Sequence, residues 1–104
     1  MDRIEKLKQF LTDTPDDSFL KHALAMEYIK AGNDVSAEKL LIEILELQPG
    51  YTGSYYHLAK LYERKKEVQI AIDIYEKGME VAKAAGDNHA LNELRGAWEE
   101  LCDL

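Results

Sequence analysis

The chain has 104 residues, and 20 aspartates and glutamates outnumber 13 lysines and arginines, so its formal net charge is −7 with the histidines neutral. This length predicts one domain with a modest core, and a hydrophobic content of 46% favours a folded chain over a disordered one. A single cysteine excludes an intrachain disulfide and a cysteine-based zinc site, and the acidic balance argues against nucleic acid, because phosphate contacts need a basic face.

The N-terminal segment mixes charges of both signs and has no continuous apolar run. Neither this segment nor any later stretch has the pattern of a signal peptide or of a membrane span. The low cysteine content fits a reducing compartment. We therefore expect a cytoplasmic protein that does not bind a membrane.

Residues 19–31 predict the first helix of a hairpin. Apolar side chains recur there at spacings of three and four residues, at Leu20, Leu24, Tyr28 and Ala31. Gly32 can adopt the left-handed conformation that ends such a helix. Asn33 or Asp34 can then cap the next helix.

The next helix, from about residue 35 to residue 47, is apolar over a wide arc. At about 100° per residue its apolar side chains cover roughly 160°, more than one packing face requires. We therefore expect it to be covered on two sides, with only Ile42 clearly outside the apolar stripe. Pro49 ends the helix, because proline lacks an N–H and clashes with the preceding turn.

The same plan returns 34 residues later, in residues 52–65 and 67–85. The shift needs no gap from residue 4 to about residue 82, and a fixed register of this kind indicates a repeat architecture. We expect the repeated positions to form a core and not to line a cofactor cavity. The identical pairs are Leu7/Leu41, Leu11/Leu45, Pro15/Pro49, Leu24/Leu58, Ala25/Ala59, Tyr28/Tyr62, Ala37/Ala71 and Glu46/Glu80.

The C-terminal segment predicts one more helix. Gly86 can end the preceding helix near Ala85, and Asp87 can cap the next one. We expect the apolar side of this last helix to cover the final repeat and its acidic side chains to face the solvent. The apolar side holds Leu91, Leu94, Trp98 and Leu101.

The sequence Leu-Ala-x-x-Tyr at residues 24–28 and 58–62, followed by Ala37 and Ala71 and closed by prolines, resembles the tetratricopeptide repeat (TPR). The resemblance implies an all-α fold, a right-handed α-solenoid of about six helices in one domain of residues 1–104. Its parts would be an N-terminal half-repeat (1–17, with Leu7, Phe10, Leu11 and Pro15), repeats 18–51 and 52–85, and a capping helix (87–103).

Four positions depart from the TPR pattern. Lys21 replaces an aromatic residue, Gly78 replaces alanine, and Lys83 replaces the terminal proline. Lys66 stands where a turn glycine is usual, which costs about 1 kcal/mol if its backbone is left-handed.

The sequence contains no phosphate-binding glycine loop, dinucleotide fingerprint or nucleophile elbow. We therefore predict no enzyme activity, no cofactor and no metal. Cys102 is expected to be a partly buried thiol at a helix end. His22 and His57 lie on the first helices of successive repeats and could approach each other, but no further metal ligands follow at a suitable spacing, so contact with solvent or a ligand is favoured.

In TPR proteins the first helices of successive repeats line a concave groove that binds peptide segments or helices. Carried over by register, the resemblance implies a partner-binding face of Phe19, His22, Met26, Tyr56, His57, Lys60 and Arg64. The same register places Ile29, Lys30 and Glu63 on this groove face. Because His22, Met26 and His57 stand where the carboxylate clamp of chaperone-binding TPR domains would need lysine or asparagine, we do not expect that clamp.

The charge of this face changes along the chain. The part from the first repeat is mostly apolar, whereas four of the 13 basic residues fall within residues 60–66. This favours a partner segment with an apolar or aromatic anchor near Phe19 and Met26 and a carboxylate near Lys60 and Arg64. Two alternatives stay open: Phe19, Met26 and Ile29 pack against the N-terminal half-repeat, or the basic residues form an ordinary solvated helix end.

We therefore predict a non-enzymatic protein–protein interaction module, an adaptor or scaffold, whose partner is another protein. The alternative is a structural homo-oligomer that assembles through its end helices or through Ile42. An enzyme is disfavoured because no catalytic constellation is present, although fold alone does not determine function.

Overall fold

The computed structural model describes residues 2–103, and within that range it contains six helices and no strand. The helices are α1 (Arg3–Asp13), α2 (Ser18–Lys30), α3 (Asp34–Leu47), α4 (Gly53–Arg64), α5 (Val68–Ala85) and α6 (Asn88–Cys102). The predicted all-α class is confirmed, and the bounds of α2 to α6 lie close to their predicted positions. The helices form two compact units, Met1–Gln48 and Pro49–Leu104.

Side-chain caps begin four of the six helices. Asp2, Asp17, Asn33 and Asp87 each accept a hydrogen bond from the backbone N–H three residues further on. These bonds satisfy N–H groups that have no partner inside the helix. The expected caps at residues 33 and 87 are therefore confirmed.

The helix ends use left-handed residues. Gly32 has a φ of +80° after α2 and Gly86 a φ of +70° after α5, as expected from the sequence. Lys66, at the turn between α4 and α5, has a φ of +65° and is the one non-glycine residue with positive φ in the described range. The strained lysine that the sequence suggested is therefore present.

In the first unit α2 packs against both α1 and α3. Ala25 of α2 and Ala37 of α3 are fully buried, which lets the two helices approach closely. On the other side, Arg3 pairs with Glu27 at 3.2 Å. Phe10 of α1 is 56% exposed, because α1 packs mainly against α2.

Lys21 occupies the position where the repeat pattern has an aromatic residue. It is buried, and its Nζ lies 3.5 Å from the Glu43 Oε2 on α3. The ion pair compensates for part of the cost of removing the ammonium from water. In the second repeat the equivalent Tyr55 is buried and its hydroxyl donates to the Pro49 carbonyl oxygen at 2.6 Å.

In the second unit α5 packs against both α4 and α6. Gly78 is buried at the closest approach: a Cβ built on it would lie 2.7 Å from the Tyr55 Cβ and 3.1 Å from the Leu94 Cδ1. The indole N–H of Trp98, on α6, donates to the Glu76 Oε2 at 3.1 Å. Glycine at residue 78 is therefore required by packing.

Cys102 is exposed, so the expectation of a partly buried thiol was wrong. It follows Leu101, the last buried residue of α6, and successive helix residues point about 100° apart. Within residues 2–103, no helix has both the length and the apolarity needed to cross a bilayer.

Candidate functional site

The open side of α2, which we call the α2 face, consists of Phe19, His22 and Met26. Phe19 is 70% exposed, and the other two are half-buried. The exposure of Phe19 contradicts, for this residue, the alternative that it packs against the N-terminal half-repeat. The ring is therefore an exposed apolar surface on α2.

The open side of α4, which we call the α4 face, consists of Tyr56, His57, Lys60, Glu63 and Arg64. At about 100° per residue these positions span an arc of roughly 120°. The opposite side of α4 supplies the core, because it faces α5 and α6. The buried residues there are Ser54, Tyr55, Leu58, Ala59 and Leu61.

Lys60 is the centre of the α4 face. Its Nζ lies 5.5 Å from the centroid of the Tyr56 ring and 3.5 Å from the Glu63 Oε2. About a third of the lysine side chain is exposed. The ammonium is therefore positioned by a ring and by a carboxylate while part of it remains available to solvent.

Tyr75 of α5 supports this arrangement from the core. It is fully buried, its hydroxyl donates a hydrogen bond to the Glu63 Oε2, and its ring meets the Tyr56 ring edge-on at 6.4 Å. Burial and the bond to Glu63 raise the pKa of the Tyr75 phenol well above its ordinary value. The hydroxyl therefore stays protonated and remains a donor.

His57 lies at the edge of the α4 face. It is half-buried, and its ring meets the Tyr56 ring edge-on at 5.3 Å. Burial lowers the pKa of His57; the negative charge of Glu93 opposes that effect and the positive charge of Arg64 adds to it. The imidazole is therefore neutral at pH 7 and acts there as a hydrogen-bonding group without a charge.

The structure brings the seven expected site residues together in two groups. Phe19, His22 and Met26 share one side of α2, in the first unit, and the other four share one side of α4, in the second. The approach of His22 to His57 stays a prediction. Among residues 2–103, no cluster of three or more histidine, cysteine, aspartate or glutamate side chains has a geometry that could hold a metal.

Sequence reasoning did not find Tyr75 as part of this site. Tyr75 lies 34 residues after Leu41, so the repeat pattern predicted only that it is a core residue. A polar hydroxyl at a repeat position that is otherwise apolar was the available signal, because a buried hydroxyl needs a hydrogen-bond partner.

No protein-family model matches the chain. The crystal structure of a tetratricopeptide repeat domain protein from Salinibacter ruber is 43% identical, and the match covers 85% of this chain and 98% of that one with a TM-score of 0.82. The chain belongs to the tetratricopeptide repeat family.

Two further TPR proteins are similar to this chain in sequence. The human interferon-induced protein with tetratricopeptide repeats 2 is 36% identical over 81 residues, which is 74% of this chain and 17% of that protein. The chain thus spans less than a fifth of the length of that relative. A TPR repeat-containing protein of Pseudomonas aeruginosa is 28% identical over 91 residues, covering 88% of this chain and 87% of its own length.

Proposed function

We propose that this TPR protein is a non-enzymatic interaction module, an adaptor or scaffold, that binds a peptide segment or helix of another protein. The observation that carries the proposal is the α4 face, where aromatic and cationic side chains stay accessible although the opposite side of the helix is buried. Membership of a family of protein-binding repeats supports it. The proposal includes one TPR domain of residues 1–104 and a cytoplasmic location.

The two faces suggest two kinds of anchor on the partner. Phe19 and Met26 offer apolar contact, which suits an aliphatic or aromatic side chain. Lys60 and Arg64 offer positive charge, which suits a carboxylate. In such interfaces a few anchors carry most of the affinity, so we assign the binding energy mainly to these four residues.

A charge reversal tests the carboxylate part of the proposal. In Lys60→Glu/Arg64→Glu we expect the loss of partners that the wild-type protein captures from its native lysate, identified by mass spectrometry. The matched control is Lys77→Glu/Lys83→Glu, which makes the same change of net charge at two exposed residues of α5. If both double variants capture the same partners as the wild type, the assignment to Lys60 and Arg64 is wrong.

A second candidate function is a homo-oligomer, and α3 provides the observation that favours it. Its outer side forms an open depression, and Val35 there is 83% exposed. The lining residues are Val35, Glu38, Lys39, Ile42, Glu43 and Glu46. Sedimentation equilibrium over a concentration series tests this function, and a mass that stays at that of one chain rules it out.

A further inference from the structure

Glu63 lies next to the cation that the proposed function assigns to the carboxylate of the partner. Its Oε2 is 3.5 Å from the Lys60 Nζ, and the same oxygen accepts the hydrogen bond from the Tyr75 hydroxyl. Tyr75 is fully buried, whereas 26% of the Glu63 side chain is exposed. The carboxylate is therefore held from the core side and reaches the surface beside Lys60.

This placement affects any anion that approaches Lys60. The lysine ammonium is already shared between the Glu63 carboxylate and the Tyr56 ring. A second carboxylate at Lys60 comes within about 5 Å of Glu63, and two like charges at that distance repel each other in a partly exposed site. A neutral acceptor, such as an amide oxygen, avoids this repulsion.

We propose that Glu63 is a specificity-determining residue that competes with the partner's carboxylate for Lys60. Because of Glu63, the α4 face binds acidic segments more weakly than Lys60 and Arg64 alone would. Glu63 weakens the binding of a carboxylate more than the binding of a neutral acceptor. Tyr75 is the positioning residue for this effect, because its hydroxyl keeps the Glu63 carboxylate in place. The inference rests on the proposed function, since it concerns the same surface.

The deciding variant is Glu63→Gln, which removes the charge and leaves an amide oxygen to accept the Tyr75 hydrogen bond. Glu67→Gln is the matched control, because it removes the same charge from an exposed N-cap residue of α5 whose side chain makes no capping bond. The probe is a peptide with blocked termini, one phenylalanine and two aspartates; its neutral twin has asparagines instead. Both are titrated into the full chain and followed by NMR.

We expect Glu63→Gln to bind the acidic peptide about five-fold more tightly than the wild type, because one nearby like charge is gone. Glu67→Gln should change the affinity by less than about two-fold, since screening weakens a more distant charge. The neutral twin should bind all three proteins equally. Unchanged or weaker binding of the acidic peptide to Glu63→Gln overturns the inference, and so does binding to neither the wild type nor this variant.

A measurement without peptide separates this inference from the proposed function. If Glu63 holds Lys60, NMR relaxation of the Lys60 side chain should show greater motion in Glu63→Gln than in the wild type or Glu67→Gln. Equal motion in all three overturns the inference even if the peptide binds. Conversely, peptide binding that survives Lys60→Glu/Arg64→Glu contradicts the proposed carboxylate site itself.

Discussion

The backbone of Lys66 is in the left-handed conformation, which residues other than glycine rarely adopt. Its φ is +65°, and the equivalent turn of the first hairpin has Gly32 at +80°. In Lys66→Gly the steric conflict of the Cβ disappears, although the unfolded chain gains freedom. We expect the free energy of unfolding to rise by about 0.5–1 kcal/mol, measured by urea denaturation.

The neighbouring Lys65 provides the control for this prediction. Its φ is −81°, which suits any residue, and its Nζ lies 4.4 Å from the Tyr62 ring centroid. Lys65→Gly should therefore lower stability, because it adds freedom to the unfolded chain and removes a contact. If both glycine variants change stability in the same direction, backbone strain at Lys66 is not the cause.

Gly78 shows how one missing methyl group determines the packing of three helices. Alanine has the higher helix propensity, but its Cβ would lie 2.7 Å from the Tyr55 Cβ, which belongs to a buried side chain close to the backbone. We expect Gly78→Ala to lower the free energy of unfolding by about 1–3 kcal/mol. Thermal and urea denaturation both measure this.

Gly96 is the counterpart within α6, because a Cβ on it would meet nothing within 4 Å. Gly96→Ala should raise stability by about 1 kcal/mol through helix propensity alone. A stabilising Gly78→Ala would show that α4 and α6 can move away from α5 without loss, contrary to the packing described above.

At the scale of the element, Asp87 connects the starts of two helices. Its Oδ1 accepts from the Ala90 N–H at 3.0 Å and its Oδ2 accepts from the Thr52 hydroxyl at 3.1 Å. Thr52 precedes α4 and makes no side-chain cap there, so its hydroxyl is available for this bond. Loss of the Asp87 side chain should therefore affect α4 as well as α6.

The bonds to Ala90 and Thr52, in that order, lower the pKa of Asp87. Because the folded state has the lower pKa, the charged form adds stability that is complete above the pKa of the unfolded chain and is lost as the pH falls through the folded value. We expect Asp87→Asn, which keeps a good cap, to show a smaller fall in its urea midpoint between about pH 6 and about pH 2 than the wild type. Parallel pH profiles would contradict this. Asp87→Ala should be less stable than both at neutral pH.

The starts and ends of α2 to α6 could be predicted because short-range chemistry largely decides them. Gly86 and Asp87 determine the junction between α5 and α6 through a left-handed turn and a side-chain cap, both of which are visible in adjacent residues. The strain at Lys66 was predictable for the same reason.

Partnerships between helices were not predictable, because they depend on how the helix axes cross. Lys21 forms an ion pair with Glu43 of the neighbouring helix, and Tyr75 donates a hydrogen bond to Glu63 of another. The sequence predicts which helices pair, but it does not predict their relative positions closely enough to identify these contacts. The repeat pattern predicted a surface of charged and aromatic residues on α4, but it could not show that the buried Tyr75 positions the Glu63 carboxylate of that helix.

At the scale of the whole molecule, the single domain of residues 1–104 stays a prediction, and it has a measurable consequence. If the two compact units fold as one domain, the chain should unfold in one cooperative transition. We expect urea curves from far-UV circular dichroism and from fluorescence to coincide. Curves with different midpoints would show that the units unfold separately and that the single-domain prediction is wrong.

Trp98 makes this comparison possible without any label. It is the only tryptophan of the chain, lies half-buried on α6, and donates its indole N–H to Glu76. Its emission therefore reports on the second unit alone, whereas circular dichroism sums the signal of all six helices in residues 2–103. The protein therefore carries a natural fluorescent probe in its second unit. If the circular dichroism signal falls at a lower urea concentration than the one at which the Trp98 emission changes, the helices that unfold first can be assigned to residues 1–48.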